Sequence, residues 1–185
     1  MIPLSPVLLI ASAGALLDGA RAGQSTRRLA EQFLSQARQP DARHWDLAFV
    51  HHAGFWSHFD HRTGKSSWPL PSTATCDELA DFACIRNVLS AEGPVSGEVF
   101  LLRSPSKRRF VHAGIVLAAE RFNVGAGEPP RYECHTIEAN ITSTGCIGGD
   151  RLARVRRILS PGRGDRTIRW SGLEQRIVST RRRAA

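Results

Sequence analysis

His112 opens an apolar run of strand length, Phe110 to Leu117, and Glu138 and Asn140 stand two residues apart near the end of the next such run, Tyr132 to Asn140. Side chains alternate along a strand, so Glu138 and Asn140 are expected to share one face and to address an imidazole on the neighbouring strand. An imidazole held by polar partners is how a catalytic base is positioned. A nucleophile would complete the set. Cys76 is one candidate, because it occupies the first position of a helix capped by Thr75, where the helix dipole favours a thiolate. A lone cysteine that simply packs is the competing reading of the same residue.

Two other groups could bind. His51, His52, His58, Asp60 and His61 are dense in metal-ligand types, but their spacing matches no defined site, so no metal is expected. No cofactor is called for. Trp45, Trp56 and Trp68 surround this histidine-rich stretch and are candidate substrate-groove residues, with a plain packing role as the alternative.

The elements that must carry these residues are legible in outline. Val7 to Leu17 is apolar and followed by Ala20-Arg21-Ala22, which reads either as a helix ending near Gly23 or as a cleavable signal peptide. It is too short for a membrane span. Ser25 is placed to cap a helix over Thr26 to Ala37, with Leu29, Phe33 and Leu34 along one side. A third helix begins near Trp45, with Asp46 in its first turn, and is expected to give way to a loop from Gly54 to Pro71. Thr75 and Glu78 form a capping-box signature for a helix reaching about Val88. Strands follow at Gly97 to Leu102, Phe110 to Leu117 and Tyr132 to Asn140, separated by Ser-Pro-Ser-Lys-Arg-Arg and Gly-Ala-Gly-Glu-Pro-Pro turns. Arg154 to Leu159 and Thr167 to Trp170 read as further strands, the first a charged edge.

The 185 residues, 42% hydrophobic, suit one soluble globular domain. The division expected is an N-terminal helix or signal segment over 1–24, the main domain over 25–172 and a basic tail over 173–185. The net charge of +8 is concentrated late in the chain: from Arg151 onward, eleven arginines face only Asp165 and Glu174. Such an end favours an anionic polymer, with nucleic acid an unspecific case of it, or else is a solvated basic face without a partner. The cysteines Cys76, Cys84, Cys134 and Cys146 lack zinc-site spacing; if any two are oxidised, Cys134 with Cys146 is the expected pair.

Taken in order, Trp-x-x-Ala-Phe-Val from Trp45, the Gly97-Glu98 strand entry, Val-His-x-Gly-Ile-Val around His112 and Thr-Ile-Glu-x-Asn ending at Asn140 resemble the CHAP family of cysteine, histidine-dependent amidohydrolases and peptidases. The resemblance spans roughly residues 15 to 170. It implies a papain-like α+β fold, N-terminal helices packed on an antiparallel sheet, and an activity on peptide or amide bonds of bacterial peptidoglycan. It makes His112 the general base and Glu138 and Asn140 its orienting residues. The family's cysteine nucleophile corresponds to Asp46, a carboxylate that is a poor nucleophile toward an amide. Ala139 stands where the family usually has Gly. The resemblance therefore implies a degenerate domain that binds cell-wall or peptide ligands without cleaving them, with an active enzyme using Cys76 or a basic scaffold as alternatives. A shorter likeness, His61-x-Thr-x-x-Ser-x-Trp68-x-x-Pro71, resembles the last strand of a WW domain. The tyrosine pair and opening motif of that family are missing, so it is read as a chance match.

Overall fold

The computed structural model describes residues 5–21, 26–36 and 45–173. The expected Ser25 cap, the Ala22 cleavage position, the Gln39-Pro40-Asp41 helix stop and the basic tail beyond 173 lie outside them. Four helices and an antiparallel six-stranded sheet make up an α+β fold. The helices are α1 (Pro6–Arg21), α2 (Thr26–Gln36), α3 (Trp45–Ser57) and α4 (Cys76–Ile85). A small hairpin, β1 (Phe59–Asp60) and β2 (Lys65–Ser66), stands apart from the main sheet. That sheet comprises β3 (Leu89–Ser90), β4 (Val99–Ser104), β5 (Arg109–Phe122), β6 (Arg131–Ile141), β7 (Arg151–Leu159) and β8 (Arg166–Ile168), in the order β3-β8-β4-β5-β6-β7.

α1 is a working part of this core. Leu9, Ala13 and Leu17, spaced four apart on one helix face, are all essentially inaccessible to solvent. Its entry is fixed by two contacts: the Ser5 amide donates to His58 Nε2 at 3.0 Å, and Pro6 sits against Gly97, where an added Cβ would lie only 2.3 Å away. The signal-peptide reading would remove these buried side chains from the domain. α2 contributes Leu29, Phe33 and Leu34 to the same core, as its helical spacing foretells. Among the described residues no helix is long and apolar enough to cross a membrane.

α3 runs past Gly54, where a loop was expected, and ends only at Ser57. Glycine is tolerated there because Trp68 lies directly on it: an added Cβ would come within 2.1 Å of the indole. α4 stops at Ile85, three residues before Val88, with Asn87 in the left-handed region at φ 54°. Its capping box forms as the sequence predicts, the Glu78 amide donating to Thr75 Oγ1 and the Glu78 carboxylate accepting from the Thr75 amide.

The sheet has a buried layer on each face. Val99, Leu101, Ala113, Ile115, Ile137 and Ala139 pack under the helices, whereas Phe100, Val116, Cys134 and Leu159 form a second, smaller core. Irregularities at Leu102/Arg103, Val116/Ala118 and Glu138/Ile141 interrupt the strand pairing. The four cysteines are free, with Cys134 buried and Cys146 exposed, so the expected pairing of these two is not made.

Candidate functional site

Asp46 is delivered by the first turn of α3, His112 by the fourth position of β5, and Glu138 by β6. They converge. His112 Nδ1 lies 3.1 Å from Asp46 Oδ2, and His112 Nε2 lies 2.8 Å from Glu138 Oε2. Asp46 Oδ2 also accepts the Ala113 amide at 2.9 Å, which ties the start of α3 to β5. The Nδ1 side is poorly aligned for a hydrogen bond, so the attraction there is chiefly coulombic. Asp46 Oδ1 is buried without a partner among the described residues.

Glu138 is held on three further sides. Thr136 Oγ1 lies 2.5 Å from Oε1, Arg157 Nε donates to Oε1 at 3.0 Å, and Arg157 Nη2 donates to Oε2 and, at 3.2 Å, to the Gly145 carbonyl. The result is a buried chain of alternating charge, Asp46–His112–Glu138–Arg157. The His112 and Glu138 side chains are fully buried and that of Asp46 is 2% exposed.

The protonation state follows from this geometry. A carboxylate is acceptor-only, and here one faces each ring nitrogen, so only the doubly protonated imidazolium offers a proton to both. Burial pushes the His112 pKa down, but its close contacts with the Asp46 and Glu138 carboxylates and their negative charge outweigh it and raise the value above 6.5. For Glu138, burial pushes the pKa up, and contact with His112 and Arg157 more than reverses this, holding it below 4.5. An imidazole that already carries its proton is a poor general base.

Cys76 reaches the same cluster, its thiol 4.0 Å from Asp46 Oδ2. The expected activation by the helix N-terminus does not prevail. Burial, together with the negative charges of Asp46 and Asp77, pushes the thiol pKa well above 9.0, so sulfur is held as S–H.

The remaining expected residues sit elsewhere or act otherwise. Asn140 is buried, but the irregularity between Glu138 and Ile141 breaks the simple alternation on which a shared face with Glu138 depends. Its backbone is left-handed at φ 60°, a region asparagine enters more readily than most residues, and its carbonyl accepts the Gly148 and Gly149 amides at 2.8 and 3.2 Å. Trp45 is buried, with Nε1 directed at the Gly149 carbonyl at 3.4 Å; Trp68 packs on Gly54, His58 and Trp170. The contacts of these two indoles are packing contacts, Trp45 buried and Trp68 half-buried. Trp56 is the exposed member, 42% accessible, lying edge-on to Phe55 and tilted against Phe59. Among the described residues no three histidine, cysteine or acidic side chains are grouped to hold a metal ion. His58 instead lies against Trp68 and Trp170 and approaches Ser57 Oγ at 2.6 Å.

Arg157 and Thr136 belong to the cluster and were not singled out by sequence. Arg157 falls within Arg154-Val-Arg-Arg-Ile-Leu159, where charges occupy both strand faces, so periodicity does not mark the inward one. The one available signal is its spacing of two from buried Leu159.

Comparison of the chain with protein-family models, curated proteins and solved structures returned no match.

Proposed function

We propose that this chain is a CHAP-like, papain-like domain that has lost hydrolysis and acts as a non-cleaving binding module for peptidoglycan or a peptide. The observation that carries the reading is the 3.1 Å approach of Asp46 Oδ2 to His112 Nδ1 at the start of α3, with Glu138 on the opposite ring nitrogen. It is a nucleophile–base–orienter arrangement in which a carboxylate stands in the attacking position. Attack by that carboxylate on an amide would form an anhydride, and the imidazolium beside it has no free site for a proton. The burial of all three side chains supports a structural use of the old constellation. The ligand class rests on the ordered motif resemblance.

The test pairs turnover with binding. The full chain, incubated with dye-labelled peptidoglycan, is expected to release no soluble fragments while co-sedimenting with the insoluble polymer. Release that disappears in His112→Ala would overturn the degenerate reading, and release that disappears in Cys76→Ser would establish the cysteine alternative. Neither release nor co-sedimentation would remove the cell-wall assignment. In Asp46→Cys, a thiol placed beside His112 is expected to be labelled by iodoacetamide at a rate that falls when His112 is also replaced by Ala. An unreactive thiol in a folded variant would count against the alignment.

A further inference from the structure

The turn between β4 and β5 and the loop between β7 and β8 come together on one side of the molecule. With the strand ends that flank them, they carry Arg103, Lys107, Arg108, Arg109, Arg163 and Arg166. A single carboxylate joins the two segments: Asp165 Oδ1 accepts the Arg103 amide at 3.0 Å and Oδ2 accepts the Ser160 amide at 2.8 Å. Two of the arginines brace the loops from within. Arg103 Nη2 donates to the Arg108 carbonyl at 3.3 Å, and Arg166 Nη1 donates to the carbonyls of Pro161 and Asp165 at 3.0 and 2.8 Å. Gly164, at φ 104°, turns the chain against the Arg103 side chain.

Positive charge is in excess on this face. Within the described residues none of the six cations has a carboxylate within ion-pairing distance; the arginine pairs formed by β6, β7 and the segment after β8 are Arg131–Glu128, Arg156–Glu133, Arg157–Glu138 and Arg169 with Glu92 and Glu98. Asp165 and Asp77 accept from backbone amides, Asp77 from that of Phe110 at 2.8 Å, and their two negative charges leave the six cations in excess. Like charges gathered on a braced surface repel one another, and an external polyanion relieves that repulsion.

We propose that this face binds the phosphodiester backbone of duplex nucleic acid without reading its sequence. Five of the six cations are arginine, whose planar guanidinium matches phosphate oxygens in pairs. None of the exposed large apolar side chains, such as Val95, Phe122 or Ile158, lies on the two segments, which removes the anchor a membrane surface would use. Neither segment carries an aromatic residue between Arg103 and Arg109 or between Ser160 and Arg166, so there is no platform for stacking unpaired bases. What is left is backbone contact, which is electrostatic and salt-dependent. The anion site proposed here does not depend on the hydrolase-like reading and is built from residues 103–109 and 160–166.

The test is fluorescence anisotropy with a labelled duplex of arbitrary sequence, titrated with the full chain between about 50 and 200 mM salt. For four to six phosphate contacts, log K is expected to fall against log salt with a slope of roughly −4 to −5. The variant Lys107→Gln, Arg108→Gln, Arg163→Gln, which touches none of the bracing contacts, is expected to bind at least about tenfold more weakly, with a slope shallower by about 3 and an unchanged circular dichroism spectrum. Neutralising Arg181, Arg182 and Arg183 is expected to have the smaller effect. Wild-type affinity in the triple variant, affinity that vanishes only with the tail substitutions, or tighter binding to phosphatidylglycerol vesicles or polyglutamate than to the duplex would each overturn the proposal.

Discussion

Replacing His112 by alanine should expose what the buried cluster does for the fold. The imidazolium lies between two carboxylates, 3.1 Å from Asp46 and 2.8 Å from Glu138, with no solvent access to its side chain. Removing one partner of a buried ion pair leaves an uncompensated charge, which costs about 3–5 kcal/mol. For a chain of this size that corresponds to a fall in Tm of roughly 6–20 °C. Part of the loss in His112→Ala is a cavity beside Phe100, whose ring centroid is 6.1 Å from that of His112. His112→Gln fills more of the space without restoring the charge, so it isolates the electrostatic share and should still lose more than half of the alanine effect. The pH dependence provides the sign. His112 has its folded pKa raised, so its contribution is complete below the ordinary 6.5 and is lost as pH climbs through the raised value. Glu138 has its folded pKa lowered, so its contribution is present above 4.5 and is lost as pH falls through the depressed value. The stabilisation from the cluster is therefore greatest between these limits, and the gap between wild type and His112→Gln should narrow on the alkaline side. Urea unfolding followed by circular dichroism from pH 4 to 9 measures it. A loss under about 1 kcal/mol at pH 6, or two profiles that run parallel through the alkaline range, would refute a charged, structural His112.

Leu9→Ala should cost about 2–5 kcal/mol in urea unfolding, because Leu9 is fully buried, and a chain lacking residues 1–21 should fail to give a cooperative transition; retention of full stability by either would remove α1 from the core. Thr75→Ala should cost about 1 kcal/mol by the same measurement, since it abolishes one half of the capping box on α4, whereas Thr75→Ser should be nearly neutral. In the native chain Ellman's reagent should label Cys84 and Cys146 rapidly and reach Cys76 and Cys134 only on unfolding, because burial raises the last two thiols, Cys134 to about 12. Rapid labelling of Cys76 would mean that its thiolate is accessible after all.

How far the sequence discloses this architecture depends on what kind of information each feature uses. The capping box at Thr75–Glu78 is local and forms where its residues predict, and the strand expected from Gly97 begins two residues later, at Val99. The approach of Asp46 to His112 spans 66 residues of chain, and no local rule reaches across it; only an ordered set of motifs suggests that the two ends meet. Periodicity fails for a different reason at Asn140 and Arg157. Alternation assigns faces only while a strand stays regular, and the irregularity after Glu138, with Asn140 left-handed, interrupts it. Arg157 is hidden by composition: in a basic strand an inward arginine looks like its outward neighbours until the carboxylate it satisfies is placed beside it. The same holds for Cys76. Its helix position argues for a thiolate, and that argument is correct as far as a helix dipole extends, but a dipole effect of about 0.3–1 kcal/mol at ordinary sites is outweighed when desolvation and two nearby carboxylates act together on one buried sulfur. Residue types thus identify a set of groups with catalytic chemistry, whereas the charges gathered around each group decide that here the set is held as an ion-paired core.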